Sequence, residues 1–365
     1  INLGCIELSS SDKAQSVRNL LWTIDHRLWT NKDGGKDESG PNVIKDHLDK
    51  ITRSYDFRCK DADREMTSET IRALTFALMS FQNDFYKNEG VFKAKLTFIV
   101  GRDTRLSSPR IHRDIIDTLI SAGVDVIDLG LCTTPLLYFA SQWFGTGGIM
   151  ITASHNPPQE NGIKFVLDSR DGVRSAASDE ILQIRDIAKR IVDKEVYLQP
   201  AVVLGHIDSK RDVDFVNDGM IDAYIDAVIG ANFVLGPRKW MEMDNGPEGV
   251  RKAVELTRVM MSLQQFTPLA GLKIVVDALH GSMGVIASRA LEKLGATVKV
   301  LHGLPDGNFP LGFDKNGNPK RPDPVEERNL EEGYAALVES GYDILIGFDN
   351  DGDRIGCMCS LNGKP

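Results

Sequence analysis

Apolar residues first recur at helical spacing from Asp12 to Trp29, where Val17, Leu20, Leu21, Ile24 and Leu28 share one face, so this stretch is predicted as an amphipathic helix. A polar run from Thr30 to Pro41, rich in Lys, Asp and Gly, reads as an exposed loop. Thr67 is placed to cap a second helix with a buried stripe of Ile71, Leu74, Leu78 and Phe81. A regular alternation follows. Leu96–Val100 reads as a strand, Ile111–Ala122 as a helix, Val124–Leu129 as a strand, Leu136–Phe144 as a helix and Gly148–Thr152 as a strand. Strands and helices alternating at this spacing predict βαβ units around a mostly parallel sheet.

The pattern returns later in the chain. Lys273–Asp277, Thr297–Leu301 and Tyr342–Phe348 read as strands, with helices over Val285–Leu294 and Leu330–Ser340. The stretch between the halves is less periodic and holds an apparent insertion, 232–266, with Met, Trp and a Gly246-Pro247 pair. The expected organisation is an N-terminal extension (1–50) and two similar mixed, mostly parallel α/β domains at 51–205 and 206–365.

The composition places the chain in a broad class. At 365 residues with 42% hydrophobic and 26% charged residues, it can bury a large core without disulfide or metal staples, so a metal would serve chemistry rather than folding. The net charge of −9 argues against nucleic acid or an anionic membrane surface as partner. No run approaches the roughly 20 apolar residues of a membrane span. The five scattered cysteines fit a reduced, cytoplasmic protein, since Cys357-x-Cys359 lacks the spacing of a zinc or thioredoxin pair. The chain opens on Ile1, so an upstream piece is expected.

Chemistry concentrates at strand ends, where open α/β sheets bind ligands. Thr152-Ala153-Ser154-His155-Asn156-Pro157-Pro158 follows an apolar strand. There Ser154 can act as a nucleophile or carry phosphate, and His155 can donate to phosphate oxygens. Asn161-Gly162-Ile163-Lys164 comes next, and Lys164 on a short strand could return an amine to the site as acid/base or phosphate clamp. The strongest signal is the apolar strand running into Asp349-Asn350-Asp351-Gly352-Asp353-Arg354. Three carboxylates at alternate positions can converge on one hard divalent cation and leave sites open for phosphate oxygen. An EF-hand is excluded, because Arg354 and Ser360 stand where Gly and Glu would be required. Arg354 supplies a cation beside the metal, while Arg58 and the group Gly101-Arg102-Asp103-Thr104-Arg105 are either site residues or structural ion pairs.

With Gly-Arg-Asp-Thr-Arg, Thr-Ala-Ser-His-Asn-Pro and Asp-x-Asp-x-Asp-Arg in this order, the sequence resembles the α-D-phosphohexomutases, the family of phosphoglucomutase and phosphomannomutase. The match runs from about Ser54 to the end and includes Val276–Gly281, Pro305–Pro310 and Pro322-Asp323-Pro324. The resemblance implies that Ser154 is a phosphoserine and that one Mg²⁺ per active site is bound by Asp349, Asp351, Asp353 and a phosphoserine oxygen. It further implies that Lys164 is the general base, a role that works best if neighbouring cations lower its pKa, and that His155, Arg58 and Arg354 line the site. The implied reaction converts hexose 1-phosphate to hexose 6-phosphate through a bisphosphorylated sugar, with sugar 1,6-bisphosphate as activator.

The sequence also departs from the family. The sugar-recognition loop of the third domain and the phosphate clamp of the fourth are not found, so both domains are expected to be absent and the chain alone is not expected to complete the cycle. Asn350 replaces a glycine, a modest change for a side chain pointing away from the metal. Two other readings stand beside this one. One is a non-catalytic relative phosphorylated on Ser154 that serves as a scaffold. The other is a haloacid-dehalogenase-type phosphatase, which leaves the Ser154 loop unexplained.

Overall fold

The computed structural model of the chain describes residues 40–193 other than 92 and 94, together with 205–208, 218–236, 243, 246–263, 266–313, 317 and 320–359. The helix predicted over Asp12–Trp29 lies outside the described residues. The first described element is a helix the hydrophobic pattern did not single out, α1 (Pro41–Ile51), with Pro at its start and Ile44, Leu48 and Ile51 buried. It falls within the stretch read as an extension, yet its apolar stripe joins the first core. A short strand β1 (Phe57–Cys59) and a one-turn helix α2 (Ala62–Glu65) follow. Thr67 caps α3 (Ser68–Glu89) by accepting from the Thr70 amide, and Gly90 ends it in the left-handed conformation.

The alternating region forms β2 (Thr97–Arg102), α4 (Ser108–Ser121), β3 (Asp125–Leu131), α5 (Thr134–Phe144) and β4 (Gly147–Ile151), each within a few residues of its prediction. Then come β5 (Asn161–Ser169), β6 (Gly172–Ser175), α6 (Ser178–Val192) and β7 (Ile207–Asp208). The sheet order is β1-β5-β4-β2-β3-β7, with β6 paired to β5. The pairs β4–β2, β2–β3 and β3–β7 are parallel, whereas β5 runs antiparallel to β1, β4 and β6. The segment bearing Lys164 is therefore a nine-residue antiparallel strand inside the sheet, not a short one.

The second half contributes α7 (Asp218–Ile229), α8 (Pro247–Leu263), β8 (Lys273–Asp277), α9 (Gly284–Lys293), β9 (Thr297–Leu301), α10 (Glu331–Glu339), β10 (Ile344–Phe348) and β11 (Ile355–Cys359). Its sheet runs β11-β10-β8-β9, with β10–β8 and β8–β9 parallel and β10–β11 antiparallel. The stretch read as an insertion supplies α8, which packs on α5 and α7.

Strand periodicity explains how the layers assemble. Successive side chains point to opposite faces, so Phe98, Val100, Ile149 and Ile151 enter a core beneath α1, α3, α4 and α6. Ile99 and Met150 point the other way, into a second core shared with Ile221, Ile225, Ile274, Val276 and Ile286 of the second half. Val275 and Leu345 face a third core under α10. The two halves thus share one apolar layer through α5. That shared layer sets the strand ends of β4 and β10 against each other.

Candidate active site

The loop after β4 is held open by an unusual backbone. Ser154 adopts φ 53°, a left-handed conformation costly for a residue with a Cβ. Its amide donates to Thr152 Oγ1 at 2.9 Å, and Arg105 fixes the rest of the loop. Arg105 is fully buried. Its Nε donates to Asp103 Oδ2 at 3.0 Å. Its two terminal nitrogens donate to the carbonyls of Ser154 (2.7 Å), Asn156 (2.8 Å), Glu160 (2.9 Å) and Pro157. The guanidinium fork thereby uses all five of its N–H groups. The sequence left Arg105 between site residue and ion pair; it is a buried ion pair whose fork shapes the serine loop.

The acidic loop after β10 meets this serine from the other half. Ser154 Oγ donates to Asp349 Oδ2 at 2.6 Å, and Asp349 Oδ1 accepts from the amides of Asp353 and Arg354. Asp351 lies at the N-terminus of α5, where Thr134 Oγ1 donates to its Oδ2 at 2.6 Å and the Thr134 amide to its carbonyl at 2.9 Å. A helix N-terminus favours a carboxylate there. Gly352 turns the chain at φ 71°, and a Cβ on it would come within 2.7 Å of the Met283 side chain.

Ligand oxygens of Asp349, Asp351 and Asp353 all lie within 4.8 Å of one another. The Oδ1 of the fully buried Asp351 has no hydrogen-bond partner. An orphaned carboxylate oxygen in an all-oxygen cluster fits a hard divalent cation, which would satisfy it. Burial and the neighbouring Asp351 and Asp353 push the Asp349 carboxyl well above the ordinary carboxylate range. Asp351 moves the other way: burial alone would raise it, but Lys164 and the Thr134 hydroxyl hold it low.

Lys164, projecting from β5, bridges Asp351 Oδ2 at 2.9 Å and Asp353 Oδ2 at 2.6 Å. Burial disfavours its charge, but the two carboxylates more than offset this and raise its pKa. The sequence expectation of a lysine depressed by neighbouring cations is therefore corrected: its nearest charges are anions. His155 is shifted down, first by burial and then by Arg354. Arg354 Nη1 lies 3.1 Å from His155 Nε2 and donates to it, which leaves Nδ1–H facing Ser154 Oγ at 3.3 Å. Arg58 is anchored by Asp56 at 2.7 Å and reaches the Ala153 carbonyl at 3.4 Å. It lines a cavity of about 470 Å³ with Lys164, Asp353, Tyr55 and Tyr138. The structure thus brings together Ser154, His155, Lys164, Asp349, Asp351, Asp353 and Arg354, with Arg58 at the rim. Sequence reasoning missed Thr134, whose only signal is its place at a strand-to-helix turn.

Comparison with known proteins identifies the family. The sequence model of phosphoglucomutase/phosphomannomutase α/β/α domain I matches residues 49–193, and that of domain II matches 255–362. A phosphomannomutase/phosphoglucomutase of Pseudomonas putida is 32% identical over 71% of this chain and 43% of its own length. One from Pseudomonas aeruginosa is 29% identical over 84% of this chain and 52% of its own. A crystal structure of a phosphoglucomutase/phosphomannomutase family protein from Burkholderia thailandensis superposes with a TM-score of 0.59 at 27% identity, covering 85% of this chain and 54% of that one. The chain spans about half the length of the relatives it matches. Two consecutive domain models covering most of the chain, with the serine and acidic loops facing each other, show that it belongs to the phosphoglucomutase/phosphomannomutase family.

Proposed function

We propose that this chain carries the phosphoryl-transfer centre of a phosphohexomutase, an isomerase that interconverts hexose 1-phosphate and hexose 6-phosphate through a phosphoserine at Ser154. The observation that carries the reading is the 2.6 Å contact between Ser154 Oγ and Asp349, which joins the end of β4 to the end of β10. A simple buried turn would not place a strained serine against three clustered carboxylates.

In this reading the bond between phosphorus and Ser154 Oγ breaks while a new bond forms to a hydroxyl of the sugar phosphate. The resulting bisphosphate reorients and returns its other phosphoryl group to Ser154. Asp349, Asp351 and Asp353 would hold Mg²⁺, which would supply neutralisation of the phosphoryl charge. Phosphoryl transfer needs positioning and charge more than covalent machinery. The loop geometry imposed by Arg105 holds the serine oxygen still. Lys164 faces the cavity shared with Arg58 but is held protonated here by Asp351 and Asp353, so it would serve as the base for the hydroxyl proton only after a cation at the carboxylates replaced it as their counter-ion and it gave up its own proton. Arg354 and Arg58 face the loop from two sides and supply cations to the substrate phosphate. His155, held neutral, can donate from Nδ1 toward the serine oxygen.

The test is mass analysis of the protein after incubation with glucose 1,6-bisphosphate and Mg²⁺, with turnover of glucose, mannose and glucosamine 1-phosphates assayed on the full-length gene product. Phosphate is expected on the peptide containing Ser154 and absent from Ser154→Ala. A fully active, unphosphorylated Ser154→Ala protein would sink the mechanism.

A further inference from the structure

Asn350 sits between two of the clustered aspartates, is fully buried and points away from them. Its Oδ1 accepts from Thr104 Oγ1 at 2.6 Å, and its Nδ2 donates to Asp103 Oδ2 at 2.6 Å. Both partners belong to the loop after β2, in the first half of the chain. Its own carbonyl accepts from the amide and hydroxyl of Ser282, in the second half, at 2.9 and 3.0 Å. Asn350 therefore bonds both sides of the seam between the halves.

The connection continues to the serine. Asp103 Oδ2 is the same oxygen that receives Arg105 Nε, and Arg105 Nη2 donates to the Ser154 carbonyl. A continuous set of buried hydrogen bonds thus links the acidic loop to the serine loop through Asn350, Asp103 and Arg105. It runs alongside the direct contact between Ser154 and Asp349. A glycine at 350 would leave the Thr104 hydroxyl and one Asp103 oxygen without these partners, at a desolvation cost. The neighbouring contact reinforces the seam: a Cβ on Gly307 would lie 2.5 Å from the Thr104 carbonyl, so the second half seats directly against this loop.

Two reacting groups carried by separate loops must be registered to a fraction of an ångström, and misplacement by about 1 Å can cost about a hundredfold in rate. We propose that Asn350 is a positioning residue that holds the acidic loop in register with the serine loop through Asp103 and Arg105. Its catalytic consequence rests on the phosphohexomutase reading; its structural consequence does not.

The test compares the protein with Asn350→Gly, Thr104→Val and Thr104→Ser variants. Three measurements are made: hydrogen exchange without metal, Mg²⁺ affinity by calorimetry, and the rate of Ser154 phosphorylation by glucose 1,6-bisphosphate. Asn350→Gly is expected to accelerate exchange over residues 103–108 and 153–160 and to slow phosphorylation about ten- to hundredfold, with Mg²⁺ affinity within about threefold. Thr104→Val should act in the same direction and add nothing to Asn350→Gly, whereas Thr104→Ser should recover the wild-type behaviour. Unchanged exchange at both loops in a folded Asn350→Gly protein overturns the registration. Faster exchange with a wild-type phosphorylation rate overturns the positioning role. A wild-type protein that never gains phosphate, but shows the expected exchange differences, sinks the mutase reading and supports the registration.

Discussion

Ser154 Oγ donates a 2.6 Å hydrogen bond to Asp349 Oδ2, across 195 positions of sequence and from one sheet to the other. Asp349 is buried with Asp351 and Asp353 beside it, and these surroundings favour its protonated form. Three acids, one lysine and one serine thus share a small volume, and the balance among them predicts how the site responds to metal, pH and mutation.

Because its folded-state pKa is raised, Asp349 retains a proton well above the ordinary carboxylate range when metal is absent. Mg²⁺ must displace that proton, so its affinity should rise with pH and binding should release protons. The same shift means that the metal-free fold loses stability as pH climbs through the raised pKa. Calorimetry in buffers of different ionisation enthalpy measures the release. Binding enthalpies independent of buffer would contradict the assignment.

Lys164 is the counter-ion of Asp351 and Asp353, with only 12% of its side chain exposed. Lys164→Met leaves the buried carboxylate of Asp351 without its cation, which costs about 3 kcal/mol in the absence of metal. Mg²⁺ should therefore raise the melting temperature of the variant more than that of the wild type. Equal shifts in a thermal-denaturation series would argue that the lysine does not neutralise the cluster.

Arg105→Lys keeps the charge next to Asp103 but loses the fork that meets four loop carbonyls. Unsatisfied buried carbonyls and a relaxed serine loop should lower stability by about 2–4 kcal/mol and slow phosphorylation of Ser154. Urea unfolding and the phosphorylation assay read the two effects separately. A lysine variant matching wild type in both would reduce the arginine to a simple charge.

His302 is held between Asp277 Oδ1 at 2.8 Å and Glu332 Oε2 at 3.2 Å, and the bond to Asp277 raises its pKa despite partial burial. A raised histidine contributes stability that is fully present below its unfolded pKa of about 6.5 and fades as pH rises through the folded value. His302→Gln should therefore lose about 1 kcal/mol more at pH 6 than at pH 9. Denaturant midpoints across this range are the check, and a pH-independent difference is the contrary result.

Much of the scaffold was legible because local periodicity decides it. Phe98, Val100, Ile149 and Ile151 alternate with residues that point the other way, so strands between helices could be read directly. The stripe Ile71, Leu74, Leu78, Phe81 and its Thr67 cap were equally clear. The helix Pro41–Ile51 was not, because it follows a polar run and its burial depends on α6, more than a hundred residues later.

The sequence by itself determined which residues could do chemistry: a serine loop, three spaced aspartates, a lysine after Asn-Gly and nearby arginines. Tertiary structure decided their states and partners. Only the shared core under α5 brings the ends of β4 and β10 together, making Ser154 and Asp349 neighbours. Only that proximity turns Lys164 from a residue expected among cations into the counter-ion of two carboxylates. It also turns Asn350 from a modest departure into a buried link between the halves. The physical reason is range: patterning is fixed by neighbours a few residues apart, whereas pKa and hydrogen-bond partners depend on charges and dipoles that approach only when distant segments pack.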